Sequence, residues 1–296
     1  MLTYHTKRKI AGYLYISPWL IGFLVLVFGS MMGSFILSFF RWDVINPPRF
    51  RGLQNYIKLF TDDRFFWKSL KATTLYSLSI PLLMTLSLFL AVLLNRDIKG
   101  RGFFRTIFYL PSVISGVAVA LLWRWIFNQR FGVFNVLLDT LFGIQGPAWL
   151  MSEFWVIPSF IIMSLWGFGG PMLIYLAALQ NVPTTLYDAA EVDGAGPIRK
   201  FFAVTLPMIS PVILFNLVMS VIRSFQIFVP AYVMTEGGPN YASLMYVLYI
   251  FRNGFEYYKM GYASALGWIL FVIVLLLTLA IFKSSSAWTF YSSNKD

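Results

Sequence analysis

Tyr187-Asp-Ala-Ala-Glu-Val-Asp-Gly-Ala-Gly-Pro-Ile-Arg-Lys-Phe-Phe-Ala-Val-Thr-Leu-Pro207 is a small, mixed-charge island between two long apolar tracts. Connections between membrane-embedded segments need only be short and polar, so a connection over 181–203 with its own helix signals is a structured object on which another protein docks. Thr185-Leu-Tyr-Asp188, just after Pro183, reads as a helix start of capping-box type. Asp188 and Glu191 suit the positive end of such a helix. Leu186, Ala189, Ala190 and Asp193 then share one face, three and four residues apart. The two alanines let a foreign surface come close to the backbone. Gly194-Ala-Gly-Pro197 ends that helix, and Pro197 can start a second one running into the next apolar tract. At this level the alternative is an ordinary connecting helix whose charges are solvated.

The flanking tracts decide the class. The chain is 58% hydrophobic and only 12% charged, with a mean hydropathy of +0.72, which places it among membrane proteins. About 20 helical residues cross a hydrocarbon layer of ~30 Å. Six tracts qualify, at about 10–40, 72–95, 105–127, 154–180, 204–233 and 262–283. The expected fold is therefore an all-α membrane protein of six transmembrane helices, one transmembrane domain over 1–296. No room remains for a sizeable soluble domain.

Several function classes drop out. The net charge of +11 comes from Lys and Arg at span ends and in loops, and no basic-aromatic platform suggests nucleic acid. With no cysteine, disulfides, thiolate metal sites and thiol catalysis are excluded. His5, the single histidine, lies in the N-terminal tail. The first apolar run follows Lys7-Arg8-Lys9 but is too long for a signal peptide's core, and reads as a retained anchor. No Gly-x-x-x-x-Gly-Lys-Ser/Thr loop occurs, so energy from ATP would have to come through a partner. None of the six tracts holds Asp, Glu or His, which disfavours proton-coupled carriage. A membrane-embedded glycan or lipid transferase would need paired carboxylates, and Asp62-Asp63 reads as a solvated loop.

Between tracts one and two, 41–71 reads as a hairpin-like segment. Its amphipathic stretch Asp63-Arg-Phe-Phe-Trp-Lys-Ser-Leu70 suits a helix lying at the membrane interface. The turn Asn95-Arg-Asp-Ile-Lys-Gly-Arg-Gly102 is short and basic. Positive charge gives only a weak orientation, because the 41–71 segment alone carries seven Lys and Arg.

The 181–203 connection resembles the EAA loop of binding-protein-dependent ABC importer permeases. The matching positions are Asp188, Ala189, Ala190, Gly194, Val204, Leu206 and Pro207, with Asp for Glu, Val for Ile and every spacing intact. The likeness extends over nearly the whole chain and is nearest the sugar-type permeases of maltose and glycerol-phosphate systems, first-subunit type. Ala11–Gly22, Gly52-Leu-Gln-Asn-Tyr56, Tyr109-Leu-Pro111 and Thr235-Glu-Gly-Gly-Pro239 fit that group in order and spacing. The resemblance implies a cytoplasmic coupling helix between helices four and five, in which Asp188, Ala189, Ala190, Glu191, Asp193, Gly194 and Pro197 face an ATPase. It also implies a bacterial cell (inner) membrane location with both termini cytoplasmic. The implied partners are a second, non-identical permease, two ATPase subunits that carry ATP and Mg, an extracytoplasmic solute-binding protein and an oligosaccharide, with membrane lipid around the spans. No cofactor is expected on this chain.

By the same resemblance, substrate contacts come from helices three, four and five. Alignment on the flanking motifs gives Ser112 and Gly116, then Trp166, Gly167 and Gly170, then Arg223, Ser224 and Ile227. A guanidinium within a span costs about 2.5–3.5 kcal/mol on insertion scales. Arg223 would therefore either pair with an anionic group on the solute, such as a uronate, or snorkel at the outer third of its helix. Arg124, in Trp123-Arg-Trp125, reads as an interface anchor. Gly169-Gly170-Pro171 interrupts helix four, either as a kink used in alternating access or as a static bend. An ABC permease for a non-sugar solute is the second reading.

Overall fold

The computed structural model describes the backbone of residues 4–290 and side chains from Gly12 onward, so His5 and the basic tail side chains lie outside the described set. The chain forms two compact units, Met1–Asp63 with Ile250–Ile269, and Arg64–Tyr249 with Leu270–Asp296.

The first unit begins with an apolar helix over Gly12–Leu37, none of whose most hydrophobic window is buried in the protein. A π-helical stretch over Phe23–Phe28 widens it, with the Gly29 N–H reaching Leu24 O. The helix gives way to a two-stranded hairpin, Phe40–Arg41 against Arg49–Phe50, in which Phe40 faces Phe50. Asn55 and Tyr56 hold that junction. The Asn55 amide donates to Ser38 O at 2.7 Å and Phe40 O at 3.0 Å, and the Tyr56 hydroxyl donates to Ser38 Oγ at 2.7 Å. Met260 N–H bonds Trp42 O at 2.9 Å, and a Cβ at Gly261 would strike Phe40 O. Only glycine lets this helix start pass the hairpin so closely. Asp63, expected as a solvated loop carboxylate, accepts the Tyr262 hydroxyl.

In the second unit the segment 64–70 is not a separate helix but continues into tract two. It opens a single helix over Arg64–Asn95, 32 residues long. Phe66, Ser69 and Thr73 are buried on it, and Thr73 Oγ1 accepts the Tyr246 N–H at 2.9 Å. The aromatic-plus-basic pattern thus marks one packed face and one open face.

Tracts three and four are not single rods. Arg101–Val113 and Gly116–Ile126 meet at 97°, and Val156–Leu165 and Gly169–Gln180 at 43°. Tract five, expected over 204–233, is helical over Pro197–Phe225, and 231–235 forms a separate π turn. A further helix, Val133–Phe142, had not been expected. Tract six is helical over Met260–Ser285.

The core of this unit joins helix Arg64–Asn95, the second half of tract four and tract five. Ala91, Leu94, Met172, Tyr175, Leu176, Leu179, Val182 and Ile209 form one buried cluster. Gly169 makes a close backbone passage: a Cβ there would collide with Phe108 O and stand 2.8 Å from Tyr109 Cα. Beside it Ser87 Oγ donates to Phe168 O at 3.0 Å, meeting a carbonyl at the break. At another end Trp123, Phe127, Phe134, Trp149 and Trp155 form an aromatic cluster with centroids 5.1–5.9 Å apart. The buried Asn135 locks it, accepting from Trp149 Nε1 at 2.6 Å and donating to Gln129 O at 3.0 Å.

Gly169→Val should lower stability by about 1–3 kcal/mol, the usual cost of overpacking. The measurement is the thermal unfolding midpoint in detergent. Gly170→Ala, whose Cβ would meet nothing nearer than Ser112 Oγ at 3.9 Å, should leave that midpoint almost unchanged.

Candidate functional site

The loop between tracts four and five is a two-helix device. Its first helix runs over Thr184–Val192 with Pro183 in the N-cap position and no side-chain cap. The expected capping box at Thr185 does not form, because the helix begins one residue earlier. Glu191 is not an N-terminal acid either: it pairs with Lys200 of the next helix at 2.5 Å. The hydrogen bond from Lys200, and then its charge, hold the Glu191 carboxyl below its ordinary value, so the pair is intact at neutral pH.

Gly194 closes the helix as expected, at φ +75°. Its N–H bonds Glu191 O at 2.9 Å and the Ala195 N–H bonds Ala190 O at 2.8 Å, a Schellman arrangement that needs a left-handed residue. Pro197 then stands at the first position of the second helix, Pro197–Lys200. A π segment, Phe201–Thr205, fuses this helix to Leu206–Phe225. Tyr187 and Thr205 share a hydrogen bond of 3.0 Å, so the first helix is tied to tract five at two points.

No residue of Thr184–Val192 is buried. Asp188, Ala189, Glu191, Asp193, Gly194 and Pro197 are exposed and Ala190 half-buried. Val192 is 89% exposed and Ile198 76% exposed. Large aliphatic side chains this open, on a helix pinned to its neighbour, make a surface built to be covered.

The candidate solute contacts gather at the two breaks. Ser112 lies in the 3₁₀ turn Leu110–Val113, and Gly116 opens the following helix. The Cβ missing from Gly170 would stand 3.9 Å from Ser112 Oγ, and that missing from Gly116 4.0 Å from Val229 Cγ1. Trp166 follows the first half of tract four and meets Trp123 edge to face, centroids 6.0 Å apart. Ser112, Gly116 and Gly167 are exposed, and Trp166 and Gly170 half-buried.

Tract five contributes less than expected. Arg223 is exposed in the last turn before Phe225, where a cation also complements the helix's negative end. Ser224 is buried with its hydroxyl committed to Val221 O at 2.9 Å, and Ile227 is buried. Both side chains are buried within this chain. Arg124 reaches Val233 O at 3.2 Å, which ties it to the protein as well as to the surface. Of the tryptophans flanking Arg124, Trp123 is 7% exposed, whereas Trp125 is 55% exposed. Helical period alone carried that signal: 123 falls on the opposite side from 125.

An apolar groove of about 320 Å³ lies elsewhere, between Pro81, Met84, Leu88, Tyr175, Ile213 and Leu217. It offers few hydroxyl partners and suits hydrocarbon rather than sugar.

The family model described as "Binding-protein-dependent transport system inner membrane component" matches residues 83–286. The probable ABC transporter permease protein YesP of Bacillus subtilis is 45% identical over 98% of this chain and 95% of its own length. The arabinooligosaccharides transport system permease protein AraP of Halalkalibacterium halodurans is 32% identical over 94% of this chain and 89% of its own. Among solved structures, one chain of a bacterial ABC transporter involved in the import of the acidic polysaccharide alginate superposes with a TM-score of 0.83. It is 28% identical, over 96% of this chain and 98% of that one. Relatives of this kind are transport subunits, not enzymes. With a family model running through more than half of its length and relatives matching it nearly end to end, the chain belongs to the binding-protein-dependent inner membrane components, the permease subunits of ABC importers.

Proposed function

We propose that this permease carries oligosaccharides, acidic ones included, through a path formed at the breaks of tracts three and four. The observation that carries the proposal is the exposed helix Thr184–Val192, closed by Gly194 and fixed to tract five through Glu191–Lys200 and Tyr187–Thr205. In this reading it is the coupling helix, facing the cytoplasm with both termini, and it seats on an ATPase subunit that binds ATP and Mg. Asp188, Ala189, Ala190, Asp193 and Pro197 lie on the covered side, with Val192 and Ile198 supplying its apolar contact. Two ATPases, a second permease of different sequence and a solute-binding protein outside complete the importer.

The mechanism follows from stiffness. When the ATPases close, they push a short helix that cannot swivel, because two hydrogen bonds and the π segment join it to tract five. Tract five packs through Ile209 against Met172, Tyr175 and Leu179 of tract four, so the push reaches the bend between Leu165 and Gly169. The Gly169 passage hands it to Phe108 and Tyr109, in the helical half of tract three that leads to its break at 113–116. Movement at these breaks turns the path from inward-facing to outward-facing, where the binding protein delivers solute. Ser112, Gly116, Trp166 and Gly170 then line the path, with Trp166 offering a ring face to sugar C–H surfaces. Likeness to the alginate importer supports an acidic solute. Arg223, exposed and without an ion pair among the described residues, is the cation among the candidate contacts that would meet it.

Gly194→Val should sharply reduce solute uptake and ATPase co-purification, since a β-branched residue at φ +75° costs about 1–2 kcal/mol or forces the loop to rearrange. Full uptake with normal ATPase attachment would remove the coupling assignment. Arg223→Gln should reduce transport of uronate-containing oligosaccharides about tenfold while sparing neutral ones, as measured by uptake in reconstituted vesicles. Equal effects on both classes would make Arg223 a helix-end anchor.

A further inference from the structure

The start of tract three holds two cations without an acid. Arg101 and Arg105 lie one helical turn apart, both half-buried. They share one neutral acceptor, the Gln180 side-chain oxygen at the end of tract four. In the amide orientation its surroundings require, it takes a guanidinium N–H from Arg101 at 2.5 Å and from Arg105 at 2.7 Å. The Nε atoms of both arginines are shut off from solvent and have no hydrogen-bond partner. Neither arginine forms an ion pair among the described residues. Two like charges held to one oxygen, with buried N–H donors left over, are electrostatically incomplete. A group presenting two or more anionic oxygens would complete them in the forked geometry that guanidinium favours.

The surroundings say which anion. Over 95–105 the acid Asp97 is outnumbered by Arg96, Lys99, Arg101 and Arg105. Interleaved with them, Ile98 is 39% exposed, Phe103 66%, Phe104 41% and Ile107 45%. Cations next to open apolar and aromatic side chains at a span end match a phosphate with hydrocarbon attached, not a free ion in water. We propose that Arg101 and Arg105 form a headgroup site for an anionic phospholipid at the cytoplasmic end of tract three, with Phe103, Phe104 and Ile107 against its acyl chains. The lipid phosphate bridges the two guanidinium groups beside Gln180. The site thus clamps the start of tract three to the end of tract four, one residue from the 181–203 loop.

The side of the membrane rests on the orientation proposed above, but lipid retention requires no transport, so the two readings fail separately. The complete importer, purified in detergent, would be offered equal amounts of phosphatidylglycerol and phosphatidylcholine and its bound lipids counted by native mass spectrometry. The wild type should retain phosphatidylglycerol preferentially, and excess inorganic phosphate should leave it bound. Arg101→Gln with Arg105→Gln should weaken that preference on the order of tenfold, whereas Arg96→Gln with Lys99→Gln should weaken it far less. Gln180→Glu supplies an internal carboxylate in place of the lipid, and should lose the preference while keeping the fold. An unchanged preference in the double arginine variant or in Gln180→Glu would overturn the proposal, as would displacement by inorganic phosphate. So would loss of the ATPase subunit with lipid retention intact, which would assign the cations to a protein carboxylate.

Discussion

A hydrocarbon layer offers backbone groups no water, so every break in a spanning helix must be repaired from inside the protein. This permease depends on that constraint at two places. Tract three turns through 97° and tract four through 43°, and each turn frees polar groups that a straight helix would satisfy. The repair at tract four is local and specific. Ser87 turns its hydroxyl onto Phe168 O, and the absence of a side chain at Gly169 brings the backbone of 108–109 against it. The break of tract four is thus met from within the protein, whereas that of tract three, at 113–116, stays exposed on this chain.

The same economy shapes the loop before tract five. A helix as short as Thr184–Val192 is unstable by itself in water, and nothing in it is buried. Its stability comes from its ends: the left-handed Gly194, the Glu191–Lys200 pair and the Tyr187–Thr205 bond. An exposed ion pair adds little free energy; here it fixes an angle. The glycine leaves open space around itself, so backbone conformation demands it rather than crowding. That distinguishes Gly194 from Gly169, where packing makes the demand.

Charge is distributed by the same logic. The six apolar tracts hold no Asp or Glu, and the cations Arg124, Arg101 and Arg105 are met by a carbonyl or an amide. Arg124 has Val233 O, and Arg101 and Arg105 share Gln180. Asp63 and Glu191, both in connections, are engaged locally by Tyr262 and Lys200.

Hydropathy alone determined the membrane class, since burial in lipid requires length and apolarity and little else, while the structure carries four helices long enough to span, or six if each bent pair counts as one. The Gly194-Ala-Gly-Pro197 stop and the Pro197 start were equally legible, because they depend on backbone preferences that act within a few residues. Tertiary structure decided the rest. Which face of the 64–76 helix was packed depended on its meeting Tyr246, and whether Thr185 capped its helix depended on where the chain left tract four. The bends of tracts three and four required Gly169 to pass Phe108. Ser224 is buried because the helix rotation of tract five is set by its packing, a property shared among helices and invisible in any one of them.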